Sequence, residues 1–461
     1  MKFKTTAILL GVLIVLLVFV YFAEFKGKAE KEKATEAKEK LVSLTSGDVQ
    51  RINFKTENGS FAFKKDDKGE WLVTEPIEVK ADNEEVNRLA ENFSDLKLER
   101  IVEAEPKDLT KYEIPKREIS LWSKGQEKPV KILIGMENPL DKTFFAKKDD
   151  EKRVVLIPSS LKTYLEKKLL DFRQKDIFKF ETADIKTIKL KAKLIGWQAS
   201  EKDKDWFLQQ PVDALASKSK VDSLLSSLSG LKAKEFVSEA KSPEEVKKYG
   251  LDKPEYEVAL SMPLANREIV FSLHKADDKV YATTSQSTKI VLVENQILSD
   301  LEKKAEDLRE KKVADFYSWD AQKLSLKKGG LELSVTKDKE SKWHFEPPLK
   351  DEADGSKVDA LIRKLEGLEA AAFIDPPFKL SDYGLDKPQA VVKVGIKEGD
   401  EKTGKLKEIS LLIGKEDSDK KQVVVQNARL NYLFRVDSSF LTEFPKEAKG
   451  WKIEKKEAEK K

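Results

Sequence analysis

The hexapeptide Tyr249-Gly250-Leu251-Asp252-Lys253-Pro254 returns letter for letter as Tyr383-Gly384-Leu385-Asp386-Lys387-Pro388. A chain that repeats itself at a long interval must fold as an array of similar units, and this restricts it more than its composition does.

Other landmarks keep the same spacing. Trp71, Trp206 and Trp343 lie 135 and 137 residues apart, and each is followed five positions later by a proline, Pro76, Pro211 and Pro348. Upstream, Ile52-x-Phe54, Ile188-x-Leu190 and Leu324-x-Leu326 recur at a spacing of 136. Tyr112-Glu113-Ile114-Pro115 is a degraded first copy of the hexapeptide. Three units follow, at 48–180, 181–317 and 318–450.

The set of Trp-x4-Pro, an amphipathic helix and Tyr-Gly-Leu-x-x-Pro behind an apolar amino terminus resembles the bacterial family known as domain of unknown function 4340. The family's Arg-x-Lys element after the last helix is matched by Arg173-Gln174-Lys175 and Arg309-Glu310-Lys311 and is missing from the third unit. The resemblance implies a membrane-anchored protein associated with ABC-type transport components like those of gliding motility. Its members have no characterised activity.

Within a unit, Asn58-Gly59 and Gly329-Gly330 sit between alternating apolar residues and predict hairpins. Val86, Leu89, Phe93 and Leu96 return as Val221, Leu224, Leu228 and Leu231, then as Val358, Leu361, Leu365 and Leu368. Steps of three and four residues form one apolar stripe of a helix. Asp82 with Glu85 reads as a capping box, and Ser217 and Asp354 as N-caps. Ser242-Pro243-Glu244-Glu245 opens a short helix that Gly250, in a left-handed conformation, closes. Glu113 at the glycine position of the first unit predicts a strained or differently closed turn. Alternating strands such as 118–122, 130–134 and 154–157 follow, with a last helix over 159–170 and 295–308. Half-exposed alternation points to antiparallel sheets. The fold class is therefore α+β: an N-terminal transmembrane helix followed by three tandem antiparallel-sheet-plus-helix repeat domains, each expected to fold by itself.

Residues 7–23 are uninterruptedly apolar and span roughly 25 Å as a helix, near the lower limit for crossing a bilayer. Tyr21 lies where signal-peptide cleavage after Ala23 would need a small residue, so residues 1–24 read as an uncleaved anchor. Residues 25–47 form a charged spacer and 451–461 a charged tail. Lysines flank the apolar run on both sides, but a short charged tail before it is export-signal architecture, so the body is expected on the extracytoplasmic, periplasmic side of the inner membrane.

Charged residues make up 37% of the chain, yet 87 Lys+Arg against 83 Asp+Glu leave a formal net charge of only +4. Interleaved signs cancel the basic field that a nucleic acid requires, so no nucleic-acid partner is expected. Absence of cysteine excludes disulfides, thiolate chemistry and Cys-based zinc sites. His274 and His344 are the chain's two histidines and stand at non-equivalent positions without a second ligand at metal spacing. No phosphate-binding glycine loop, dinucleotide fingerprint or nucleophile elbow occurs. Asp252 and Asp386 read as turn residues, and the repeated tryptophans as core anchors. No catalytic, cofactor-binding or metal-binding residue is assigned and no cofactor is expected. The expected function is a non-enzymatic, membrane-anchored extracytoplasmic structural or adaptor protein with protein partners in a membrane complex. The alternatives are an envelope enzyme acting on glycan through paired carboxylates, and a solute or lipid carrier.

Overall fold

The computed structural model describes residues 39–349, 351–397 and 406–453. The expected membrane helix at 1–24, the spacer up to residue 38 and the tail beyond residue 453 lie outside the described residues. Among the described residues no helix is long and apolar enough to cross a membrane.

Three antiparallel sheets follow one another along the chain. In the first, the spatial order is Val79–Lys80, Trp71–Glu75, Gly59–Lys65, Val49–Thr56, Arg117–Ser123, Val130–Glu137, Phe144–Lys148, Val154–Ile157 and Arg100–Glu103. The second repeats this nine-stranded order from Ala214–Ala216 to Glu235–Ser238, and the third has eight strands. In the third, among the described residues, the pair His344↔Glu352 stands at the first edge in place of a strand. Strands such as Tyr256–Met262 alternate strictly between buried and half-exposed positions, which gives each sheet one core face.

A single helix joins the two edges of each sheet: Asn83–Ser94, Lys218–Ser229 and Gly355–Glu366. Nine strands span roughly 38 Å, whereas a helix of 12 residues is about 18 Å long, so the sheet has to curl around it. The apolar stripe lies at the centre of each core: Val86, Leu89, Phe93, Val221, Leu228, Val358, Leu361 and Leu365 are fully buried. Tryptophan fixes the helix to the first edge. The Trp71 indole N–H donates to Asn87 Oδ1 at 2.7 Å and that of Trp343 to Asp359 Oδ1 at 2.9 Å, in both cases sixteen residues on.

The helix starts differ from the expected capping box. Asp82 accepts from the Glu85 N–H, but the Glu85 side chain is taken by Lys167 and Arg88 and does not return the bond. Asp354 caps with its side chain, whereas Ser217 holds only the N-cap position. The first hairpin turns at Glu57-Asn58, one residue earlier than expected, because Thr56 pairs with Gly59. The third turns at Gly329-Gly330 as expected. The last helix is two pieces in both units, Lys162–Leu165 with Leu169–Phe172 and Ile297–Leu301 with Ala305–Leu308. Asp171 and Asp307 capture the backbone N–H of Lys168 and Lys304, and each thereby starts a new helix inside the expected one.

The repeated turn closes identically in all three copies. Ile114, Leu251 and Leu385 donate their N–H to the carbonyls of Leu109, Val246 and Leu380, five residues back. Glu113, Gly250 and Gly384 stand before them with φ of 51°, 70° and 66°. The first copy thus forces glutamate into the glycine conformation instead of closing differently. Beneath the turn lies a position that the hexapeptide does not reveal. By strand register Ile134, Leu273 and Ile413 are equivalent, being opposite Arg117, Tyr256 and Ala390. The next residues are Gly135, His274 and Gly414. A Cβ at Gly135 or Gly414 would lie 2.0 Å or 2.2 Å from the carbonyl oxygen of Tyr112 or Tyr383, so the turn rests directly on the strand backbone. In the second repeat the His274 ring fills this space, and a Cβ on Gly250 would meet it at 2.4 Å.

Each repeat is entered and left beside its helix. Leu41, Ile177 and Val313 donate to the carbonyls of Leu96, Leu231 and Leu368, just past the helix end. At the helix start, Asp82, Ser217 and Asp354 donate to the carbonyls of Phe172, Leu308 and Trp451. The next residues, Arg173, Arg309 and Lys452, pair with Ala81, Ala216 and Ala353. Lys452 therefore occupies the place of the arginine that the third unit lacks in sequence. By compactness the chain divides into residues 1–175 and 176–461, the latter holding the second and third sheets.

Candidate functional site: the junction of the second and third repeats

The linker from Arg309 to Val313 belongs to both repeats of the 176–461 unit. Behind it Arg309 pairs with Ala216, and ahead Lys312 pairs with Glu369 while the Ala370 N–H donates to the Lys311 carbonyl at 2.8 Å. Such two-sided pairing ties the short linker to both repeats, which restricts swivelling between them.

Arg309 is 1% exposed, which is rare for a cation and tolerable only if it is paired. Its two terminal nitrogens donate to the two carboxylate oxygens of Asp375, each at 2.8 Å. The planar fork matches a carboxylate in a way that an ammonium cannot. Its carbon lies 3.8 Å from the Phe373 ring centroid and 4.6 Å from that of Tyr432. The Nε of Arg309 is buried without a hydrogen-bond partner, while the buried hydroxyl of Tyr432 faces the backbone N–H of Leu215 in the second repeat. Burial pushes the Tyr432 hydroxyl up to about 12 against the opposing pulls of the Leu215 backbone and of Arg309, so the phenol stays neutral at physiological pH. A second link is polar and exposed: Asn431 donates to Asp213 at 3.0 Å. Ala214 of the second repeat is itself buried in the core of the third.

An open cleft of about 650 Å³ beside Trp343 is lined by Glu352, Asp354, Lys357 and Asp359. Another of about 630 Å³ lies over the junction between Lys220, Lys303, Lys311 and Phe373. Among the described residues no group of histidines and carboxylates could hold a metal ion.

The residues weighed in the sequence are spread apart. His344 bonds Asp338 at 2.8 Å on the surface of the third sheet, while His274 lies under the second repeated turn. Asp252 and Asp386 are exposed in their turns, and the three tryptophans are buried in separate cores. Gly384→Val is expected to lower stability by more than about 1 kcal/mol, since a β-branched residue is poorly accommodated at φ 66°. Asp386→Asn is expected to leave the melting temperature unchanged, and a shift of several degrees would give that carboxylate a structural role. Asp375, Phe373 and Tyr432 were not singled out by sequence reasoning. Only the Arg-x-Lys element pointed at this place, because the residues it meets lie 64 or more positions away.

No curated protein matches the chain. Two solved structures from Pseudomonas aeruginosa, a DNA polymerase sliding clamp and a DNA polymerase III subunit beta, are each 8% identical. They cover 86% of this chain and 93% and 94% of theirs, with TM-scores of 0.15 and 0.17, and at that level the likeness carries no argument. The model of the domain of unknown function DUF4340 matches residues 71–207, 206–379 and 352–457. The first of these segments runs from one repeated tryptophan to just past the next, so the family unit is the same repeat in a different phase. With three tandem matches from the first tryptophan strand to the end of the third sheet, the chain belongs to the DUF4340 family.

Proposed function

We propose that this protein is a non-enzymatic, membrane-anchored structural or adaptor protein on the extracytoplasmic side of the inner membrane, accessory to an ABC-type transport or motility-associated complex. The observation that supports the reading is the welded junction. A bidentate ion pair, two aromatic rings and paired backbone are spent on fixing two repeats relative to each other, which suits a part that sets a distance or presents partners in register. The apolar run at 7–23 would supply the anchor, and the transport association comes from the family resemblance alone.

The first test is of placement. A carboxyl-terminal alkaline phosphatase fusion to the full chain is expected to be active, and a fluorescent-protein fusion exported by the same route dark. The reverse pair of results would put the body in the cytoplasm and remove the reading. The second is of partnership: the full chain, captured from membranes in mild detergent, is expected to bring with it integral membrane components, and recovery of the chain by itself would count against an adaptor.

A further inference from the structure

The third repeat opens on an exposed aromatic plate. The rings of Tyr317 and Trp319 stack in parallel, with centroids 4.4 Å apart and planes 9° from each other, and the two residues are 53% and 67% exposed. The fold does not ask for them. The short turns Ser46–Asp48, Thr182–Asp184 and Ser318–Asp320 are equivalent in the three repeats. The places of Tyr317 and Trp319 are held by Thr45 and Gly47 in the first repeat and by Glu181 and Ala183 in the second. An aromatic pair that two sister repeats do without, and that leaves apolar area in water, is accounted for by a surface that it covers. Acids flank it. Asp315 is exposed two residues before Tyr317, where the other repeats have Ser43 and Lys179, and Asp320 follows Trp319 as Asp48 and Asp184 end their own turns. Among the described residues neither Asp315 nor Asp320 makes an ion pair.

We infer that this plate receives an arginine side chain of a partner protein. Three observations favour that occupant. Ring faces attract cations, and three other tryptophans already have one: Lys65 lies over Trp71, Lys337 over Trp343, and the Arg51 guanidinium over Trp122 at 3.6 Å. Among the described residues no cation lies over Tyr317 or Trp319. Next, carboxylates accept hydrogen bonds and do not donate them. Acids beside the plate therefore match a guanidinium, which only donates, better than a sugar hydroxyl, which does both. Last, the junction holds Arg309 with the same parts, two aromatic rings and one carboxylate. The plate has what the Arg309 site has except the arginine. A planar guanidinium stacks flat on an indole and an ammonium does not, so arginine is preferred to lysine. The inference rests on the adaptor reading only in making the occupant part of a protein.

In the test, the full chain, purified in detergent, is titrated with short fluorescein-labelled peptides of one length that carry arginine, lysine or citrulline, the neutral counterpart of arginine. The arginine peptide is expected to bind most tightly and the citrulline peptide least. Trp319→Ala is expected to weaken arginine binding about five-fold. Its melting temperature should be unchanged, because Gly47 and Ala183 show that the turn accepts a small residue. Trp319→Phe should keep part of the affinity, Asp315→Asn should lower it, and Leu264→Ala, at an exposed position of the second repeat, should leave it as it is. Absence of arginine-peptide binding, equal affinity for the arginine and citrulline peptides, or no loss in Trp319→Ala would overturn the proposal. So would displacement of the arginine peptide by chitotriose, which would make the plate a glycan platform. Any of these results, with membrane components still captured by the full chain, would remove the plate and leave the adaptor reading standing.

Discussion

Gly414→Ala is expected to destabilise the 176–461 unit by about 3 kcal/mol, more than any other single-methyl addition in the third repeat. The added carbon would sit 2.2 Å from the Tyr383 carbonyl oxygen and 3.1 Å from two carbons of Leu385. Tyr383 has no room to retreat, because Gly384 is already left-handed and the Leu385 N–H is tied to Leu380. Leu385 is buried with Val424 and Leu433, so raising the turn would also open that small cluster. Equilibrium unfolding in urea measures the loss. Gly47→Ala, where a Cβ meets nothing within 4 Å, is the control and is expected to stay within about 0.5 kcal/mol of the parent. A loss below about 1 kcal/mol at Gly414 would mean that the turn is not seated on the strand.

Asp375→Ala should cost about 3 kcal/mol, because it leaves a fully buried guanidinium facing two rings and no anion. The figure belongs at the low end of the range for broken buried pairs, since the Asp375 side chain is itself 37% exposed and water can partly replace it. Arg309→Met should cost less. It keeps apolar contact with Phe373 and Tyr432, and the carboxylate left behind is within reach of solvent. The order of the two losses is the diagnostic: Arg309→Met the more damaging would make the arginine a packing element and not half of an ion pair. Because the pair is buried on the arginine side, raising the salt concentration should weaken the junction little.

Much of the repeat was legible in the sequence because its signals are local or periodic. The apolar stripe, the Ser242-Pro243 helix start and the left-handed Gly250 and Gly384 each follow from residues within a few positions of one another. Gly135 and Gly414 escaped for the opposite reason. Nothing in a strand demands glycine until a distant carbonyl presses on it, although the recurrence of Leu-Ile-Gly at 133–135 and 412–414 was a usable sign. The Arg309 site escaped for a related reason: an arginine in a chain with 87 basic residues is unremarked until burial singles it out. The break in the last helix turned on whether Asp171 and Asp307 bond their own backbone or face water, a choice that spacing does not decide.

The way in which the chain enters and leaves each repeat determines how these proteins would bear tension. In the third repeat the incoming strand is fastened by Val313 to Leu368 and the outgoing one by Asp354 to Trp451, at opposite ends of the helix Gly355–Glu366. The second repeat is fastened likewise, by Ile177 to Leu231 and by Ser217 to Leu308. A pull on the two ends of a repeat would therefore load its helix lengthwise and leave the strand ladders largely unstressed. Such a molecule would yield first at its fastenings and behave as a tether whose stiffness resides in a single helix per repeat.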